Sequence, residues 1–131
     1  MCGGFRPSRQ FAVAKDEQIA RELKRLASLK QGFPYLFPLS GGLEKKIFGG
    51  HCRIENIDTV WAGKIERHVK IEADSYSERD TIGGSGELKP FAMLAGKSIH
   101  GVILNNGELR IVTKQAQGDI LKVHHRMPDL I

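Results

Sequence analysis

The first strong pattern along the chain is KDEQIARELKRLASLKQG. Ile19, Leu23, Leu26 and Lys30 recur on one helical face with Ala20 and Ala27 beside them, so the spacing predicts an amphipathic helix over about 16–31. Asp16 supplies an N-cap, Glu17 sits in the first turn, and Gly32 with Pro34 stops the helix. Arg21, Lys24 and Arg25 cover much of the remaining surface, so the expected role is packing on a sheet.

Beyond Phe33 the period shortens to two. GFPYLFPLSGG has two prolines and reads as an extended loop or edge. HCRIENI and TVWAG read as short strands. RHVKIEA alternates Val69, Ile71 and Ala73 with His68, Lys70 and Glu72, the pattern of a half-buried strand. SERDTIGGSGELK is polar and glycine-rich and reads as a loop. SIHGVIL and ELRIVT flank NNG, a turn sequence for an antiparallel hairpin. KQAQGDILKVHHRMPDLI follows, with a short helix or turn before HHRMP. There are no internal repeats. The expectation is one α+β domain over 1–131, mainly an antiparallel, barrel-like sheet with one main helix.

Composition narrows the class. The 131 residues suit one core, and 20 basic against 15 acidic residues leave a net charge of +5. A basic domain suits a polyanionic partner, nucleic acid first. Two cysteines, Cys2 and Cys52, make no disulfide framework and are expected reduced. No apolar run is long enough to span a bilayer and the first ten residues have no signal-peptide core, so a cytoplasmic protein without a membrane is expected.

Cys2 is the most reactive candidate. With Met1 removed it would carry an amine and a thiol on adjacent carbons, both reactive near neutrality. Such a 1,2-aminothiol closes on an aldehyde to a thiazolidine, or acts on an acyl group. His51, His68, His100, His124 and His125 fit no zinc spacing, so no metal is expected. Trp61 reads as core rather than as a base-stacking platform.

Taken together, these pieces resemble the SRAP domain family, the SOS-response-associated peptidases that include abasic-site processing proteins. MCGGF at the start resembles the family's MCGRF, and HHRMP after RIVTKQA resembles its IHDRMP after a TIITTEA strand. Between these ends FPLS looks like APTQ with Pro38 in place, VWAGKI like RWGLIP with Trp61, HVKIEA like NARAET, and GGSGEL like DGFYEW with Glu87. Gly4 stands where the family has arginine, and His68 and Lys70 where it has asparagine and arginine.

The resemblance implies a role for each matched position. Cys2 would capture the ring-opened aldehyde of an abasic site in single-stranded DNA as a thiazolidine crosslink. Glu87 would shuttle protons, and His124 would assist ring opening and reversal. Arg6, Pro38, Trp61, His68, Lys70 and Arg126 would line the DNA, the basic ones at phosphates. Autocatalytic removal of residues ahead of the cysteine is also implied. No cofactor and a monomer are expected. A non-catalytic single-stranded DNA-binding module is the alternative, and an amide hydrolase using Cys2 is a third reading.

Overall fold

Two strands with buried side chains on both faces form the middle of the fold. They are β8 (Ile99–Leu104) and β9 (Leu109–Gln115), joined by the NNG turn, in which Gly107 takes φ 88°. That left-handed value is the one a glycine adopts without steric cost. The structure, a computed structural model, describes residues 4–7, 34–40, 42–47, 53–91, 94 and 96–131. The 16–31 helix expectation, Cys2, His51 and Cys52 lie outside the described residues.

The other strands assemble around this hairpin. In chain order they are β1 (Gly4–Pro7), β2 (Pro34–Leu39), β3 (Gly42–Ile47), β4 (Arg53–Ile54), β5 (Ile65–Ile71), β6 (Ala73–Arg79), β7 (Leu88–Phe91) and, after β9, β10 (Arg126–Pro128). One sheet runs β10-β9-β8-β5-β2-β3, with β4 parallel to β9; the other runs β1-β6-β7. All other pairings are antiparallel. The described residues are thus sheet-rich with little helix, and no closed barrel is formed among them.

Only Glu72 separates β5 from β6, so one nearly continuous ribbon crosses from the larger sheet to the smaller. The alternation read in RHVKIEA is present: Val69, Ile71 and Ala73 are buried, and His68 and Lys70 are exposed. Strand alternation also sorts the core into two. Val69, Ile71, Ile99, Ile103, Leu109 and Ile111 join Tyr76, Phe91 and Leu94 in the larger cluster. Val102, Leu104 and Val112 meet Ile54, with Trp61 and Ile65 at its edge, in the smaller one. Trp61 is therefore core-edge, as its sequence context suggested, with Lys64 Nζ and the Arg110 guanidinium 5.4 and 5.7 Å from its ring centroid.

Two sequence expectations are corrected. TVWAG is not a strand but a single helical turn, α1 (Thr59–Ala62). Asp58 caps it, accepting from the Val60 and Trp61 amides at 3.0 Å each. That local cap outweighs the strand preference of Thr, Val and Trp. SERDTIGGSGELK is also not all loop: Ser77–Arg79 end β6, Leu88 and Lys89 begin β7, and only 80–87 connect them. The short helix expected before HHRMP is present as a 3₁₀ turn at Gly118–Lys122.

Candidate functional site

Strand β6 places Tyr76 and Glu78 on one face, two residues apart, and buries both. A carboxylate in such a place needs partners. Glu78 Oε2 accepts the Tyr76 hydroxyl at 3.1 Å and pairs with Arg53 Nη1 at 2.7 Å. Arg53 comes from β4, which is held beside β9 by the Arg53–Ile111 register.

His124 comes from the end of the chain, near enough to feel this carboxylate's charge. The 3₁₀ turn directs the His124 amide to the Ile120 carbonyl, and the Thr81 and Ile82 amides clamp the Val123 carbonyl. The imidazole is 6% exposed. Its Nδ1 accepts the Arg126 amide at 3.1 Å, which leaves Nε2 to carry the proton of the neutral ring. Burial pulls its pKa below the ordinary value, Glu78's charge opposes this, and the charges of His125 and Arg53 add to it. The His125 ring stacks on it at 4.6 Å. Glu78 and His124 are thus two buried titratable groups close enough for the carboxylate's charge to act on the imidazole, with Arg53 and Tyr76 holding the carboxylate and no direct bond between the two.

The N-terminal segment leads to the same strand. β1 pairs with β6 so that Phe5 lies opposite Tyr76 and Gly4 opposite Ser77, the residue before Glu78. Gly4 is two residues after Cys2 in the chain.

The remaining candidates are placed differently. Glu87 is exposed in the 80–87 connection, and its carboxylate makes no hydrogen bond or ion pair among the described residues. The carboxylate that acts on His124 is Glu78 instead. Arg126 is not a free phosphate ligand. Its guanidinium donates to the Thr113 carbonyl at 2.7 Å, the Thr113 hydroxyl at 3.2 Å and the Glu55 carbonyl. His68 and Lys70 are exposed on one face of β5. Arg6 lies in β1 opposite Ser75, and Pro38 in β2 opposite Leu43; only their backbone placement is described.

Sequence reasoning missed Glu78 and Arg53. Their signal was weak: the alternation of Tyr76, Glu78 and Asp80 on one side of SYSERD continues the β5 pattern, but with charges where apolar residues were expected. Asp80 is also buried, and organises the 80–87 connection. It accepts from the Gly83 amide at 2.6 Å and the Ser85 hydroxyl at 2.8 Å, with Lys89 Nζ at 3.7 Å. The Ser85 hydrogen bond is the largest cause of its lowered pKa.

Among the described residues no group of three or more His, Cys, Asp or Glu side chains could hold a metal, and no helix is long and apolar enough to cross a membrane. In comparison with known proteins, no family model, no curated protein and no solved structure matches this chain.

Proposed function

We propose that the protein captures abasic sites in single-stranded DNA through Cys2, in the DNA-damage response. One observation carries this reading: β1 pairs with β6 so that Gly4 lies beside the strand position next to Glu78, whose charge acts on His124. Two residues of chain reach at most about 7 Å, a span over which a nucleophile could be served by Glu78 and His124.

The chemistry follows from the groups. The abasic hemiacetal opens to an aldehyde as its ring C–O bond breaks and the proton of its anomeric hydroxyl passes by way of Glu78 to the released ring oxygen, with His124 Nε2–H as the hydrogen-bond donor to that oxygen. The Cys2 amine, freed by loss of Met1, adds to the aldehyde and expels water to give a Schiff base. The thiol then adds to the same carbon and its proton moves to nitrogen, closing a thiazolidine. Glu78 takes the role that the sequence resemblance gave to Glu87, moving protons at the amine. The same groups would serve autoproteolysis ahead of Cys2. Lys70 and Arg6 are the phosphate contacts in this reading; Arg126 shapes the site from within. A barrel-like closure, the 16–31 helix packed by Ile19, Leu23 and Leu26, and a cytoplasmic monomer without cofactor belong to the same proposal.

Processed protein mixed with abasic single-stranded DNA should give a heat-stable adduct on a denaturing gel. Cys2→Ala should abolish it, and Glu78→Gln and His124→Gln should slow it, while Glu87→Gln should leave it unchanged. No adduct, or an adduct independent of Cys2, ends the reading. Salt-sensitive binding without an adduct would instead establish the non-catalytic single-stranded DNA-binding module, which the exposed Lys70 also serves.

A further inference from the structure

On the outer face of β5 and β8 three side chains form a line that the site above does not use. Asp129 follows β10, in a segment that pairs with the start of β8 through the Ile99–Leu130 bridge. The Asp129 carbonyl accepts the His100 amide at 2.7 Å, and its own amide donates to Val112 on β9. This wedge between β8 and β9 sets Asp129 Oδ2 2.8 Å from His100 Nδ1. His100 Nε2 in turn lies 2.9 Å from His68 Nδ1.

The ring geometry decides what fills the gap between the histidines. The rings are inclined by only 28° and their centroids are 5.1 Å apart. That separation is the 2.9 Å nitrogen gap plus about one ring radius at each end, so the two nitrogens face each other along one line. Two metal–nitrogen bonds along that line would need about 4 Å, from ~2.0–2.1 Å each. The gap therefore suits a shared proton, not a cation.

Hydrogen-bond direction then runs one way. Asp129 accepts, so His100 Nδ1 carries a proton and His100 Nε2 a lone pair. His68 Nδ1 must donate to that lone pair, which leaves His68 Nε2 as an exposed acceptor. Lys70, two residues along the same strand face and opposite His100, is exposed with no ion pair among the described residues.

We propose that Asp129, His100 and His68 form a proton relay serving a second catalytic site, whose substrate is a carboxylic ester bearing a negative group. His68 is the catalytic base; His100 and Asp129 are positioning residues that fix its tautomer; Lys70 holds the negative group. His68 Nε2 takes a proton from water as the water oxygen bonds to the acyl carbon. The ester C–O bond breaks, and the proton passes from His68 to the leaving oxygen, giving acid and alcohol. The other charged groups on this face are Glu66 and Glu72, which flank His68 and Lys70 along the same strand face, Glu72 accepting from the Ser98 hydroxyl, and Arg110 of β9, opposite Val102 and paired to Glu108. None intervenes between His68 and Asp129.

Hydrolysis of 4-nitrophenyl acetate and of mono-4-nitrophenyl succinate by the whole protein tests this. Expected is a rate above that of equimolar 4-methylimidazole, with the anionic ester preferred. His68→Gln should remove the excess, about 100-fold for a positioned base. Asp129→Asn should cut it by about tenfold or more through loss of the tautomer. It should also remove the low-field His100 Nδ1–H proton resonance from the spectrum of the folded protein. Lys70→Gln should erase the preference for the succinate ester. His68 and Lys70 are exposed, so their variants report on chemistry rather than folding. A rate equal to free imidazole, a rate unchanged in His68→Gln or Asp129→Asn, or absence of the low-field proton in the wild type overturns the relay. No preference for the anionic ester overturns the role of Lys70 and the substrate class.

Discussion

Arg53 and Glu78 meet at 2.7 Å although 25 residues separate them, and the pair ties the parallel strand β4 to the ribbon that carries the acid–base site. The Glu78 side chain is 6% exposed and that of Arg53 26%. Removing one partner of a buried pair costs about 3–5 kcal/mol, and the water reaching Arg53 lowers this to about 2 kcal/mol. Arg53→Met should therefore shift the urea midpoint by that amount. Arg53→Met with Glu78→Gln should recover more than half, because the amide still accepts from Tyr76 and no charge is stranded.

Arg126 should report on stability rather than on nucleic acid. Its donors reach Thr113 and the Glu55 carbonyl, and hydrogen bonds to a charged donor contribute about 1.5–3 kcal/mol. Arg126→Ala should lower the unfolding free energy by about 2–3 kcal/mol. Arg126→Lys should recover little, because a single ammonium cannot copy the planar fork. The salt dependence of DNA binding by the folded fraction should not change.

Gly83 is required by contact rather than by backbone angle. A Cβ there would stand 2.6 and 2.8 Å from the Asp80 carboxylate oxygens. That carboxylate is held by Ser85 and Gly83 itself, so it cannot swing aside without losing both bonds. Gly83→Ala should destabilise by about 1–3 kcal/mol, the usual cost of overpacking. Amide exchange should quicken within 80–87 and leave the β8–β9 hairpin unchanged.

His124 makes stability depend on pH. Its folded pKa lies below the ordinary 6.5. Between the two values the unfolded chain binds the proton and the folded one does not, so stability rises with pH across that window. Above about pH 6.5 the contribution is complete; it is lost as pH falls and levels off below the folded value. Urea midpoints measured from pH 7.5 to 5 should show this slope, and His124→Gln should flatten it. Asp80, lowered from 3.8, acts the same way only in stronger acid.

The fold was readable where a local rule and the tertiary environment agree. The β8–β9 hairpin follows from NNG between apolar runs, and β5 from the alternation of Val69 and Ile71 with polar neighbours. It was unreadable where distant partners decide. Glu78 looks like a surface residue until Arg53 and Tyr76 are placed beside it. Arg126 looks like a phosphate ligand until the Glu55 carbonyl, 71 residues away, takes its donor. TVWAG has strand residues, and only the Asp58 side chain turns it into a helix. Within HHRMP, Arg126 and Met127 hold the end of the chain to β9.

The pairing of β1 with β6 also sets an order of events during synthesis. β1 ends at Pro7 and its partner begins at Ala73, so about 66 residues must be made before the first strand has a neighbour. At ~5–20 residues per second that is an interval of roughly 3–13 s. Long-range pairing of this kind is slow to form even once both strands exist. Enzymes that trim or modify a nascent chain can act on the residues ahead of Gly4 throughout that delay, before β6 pairs with β1.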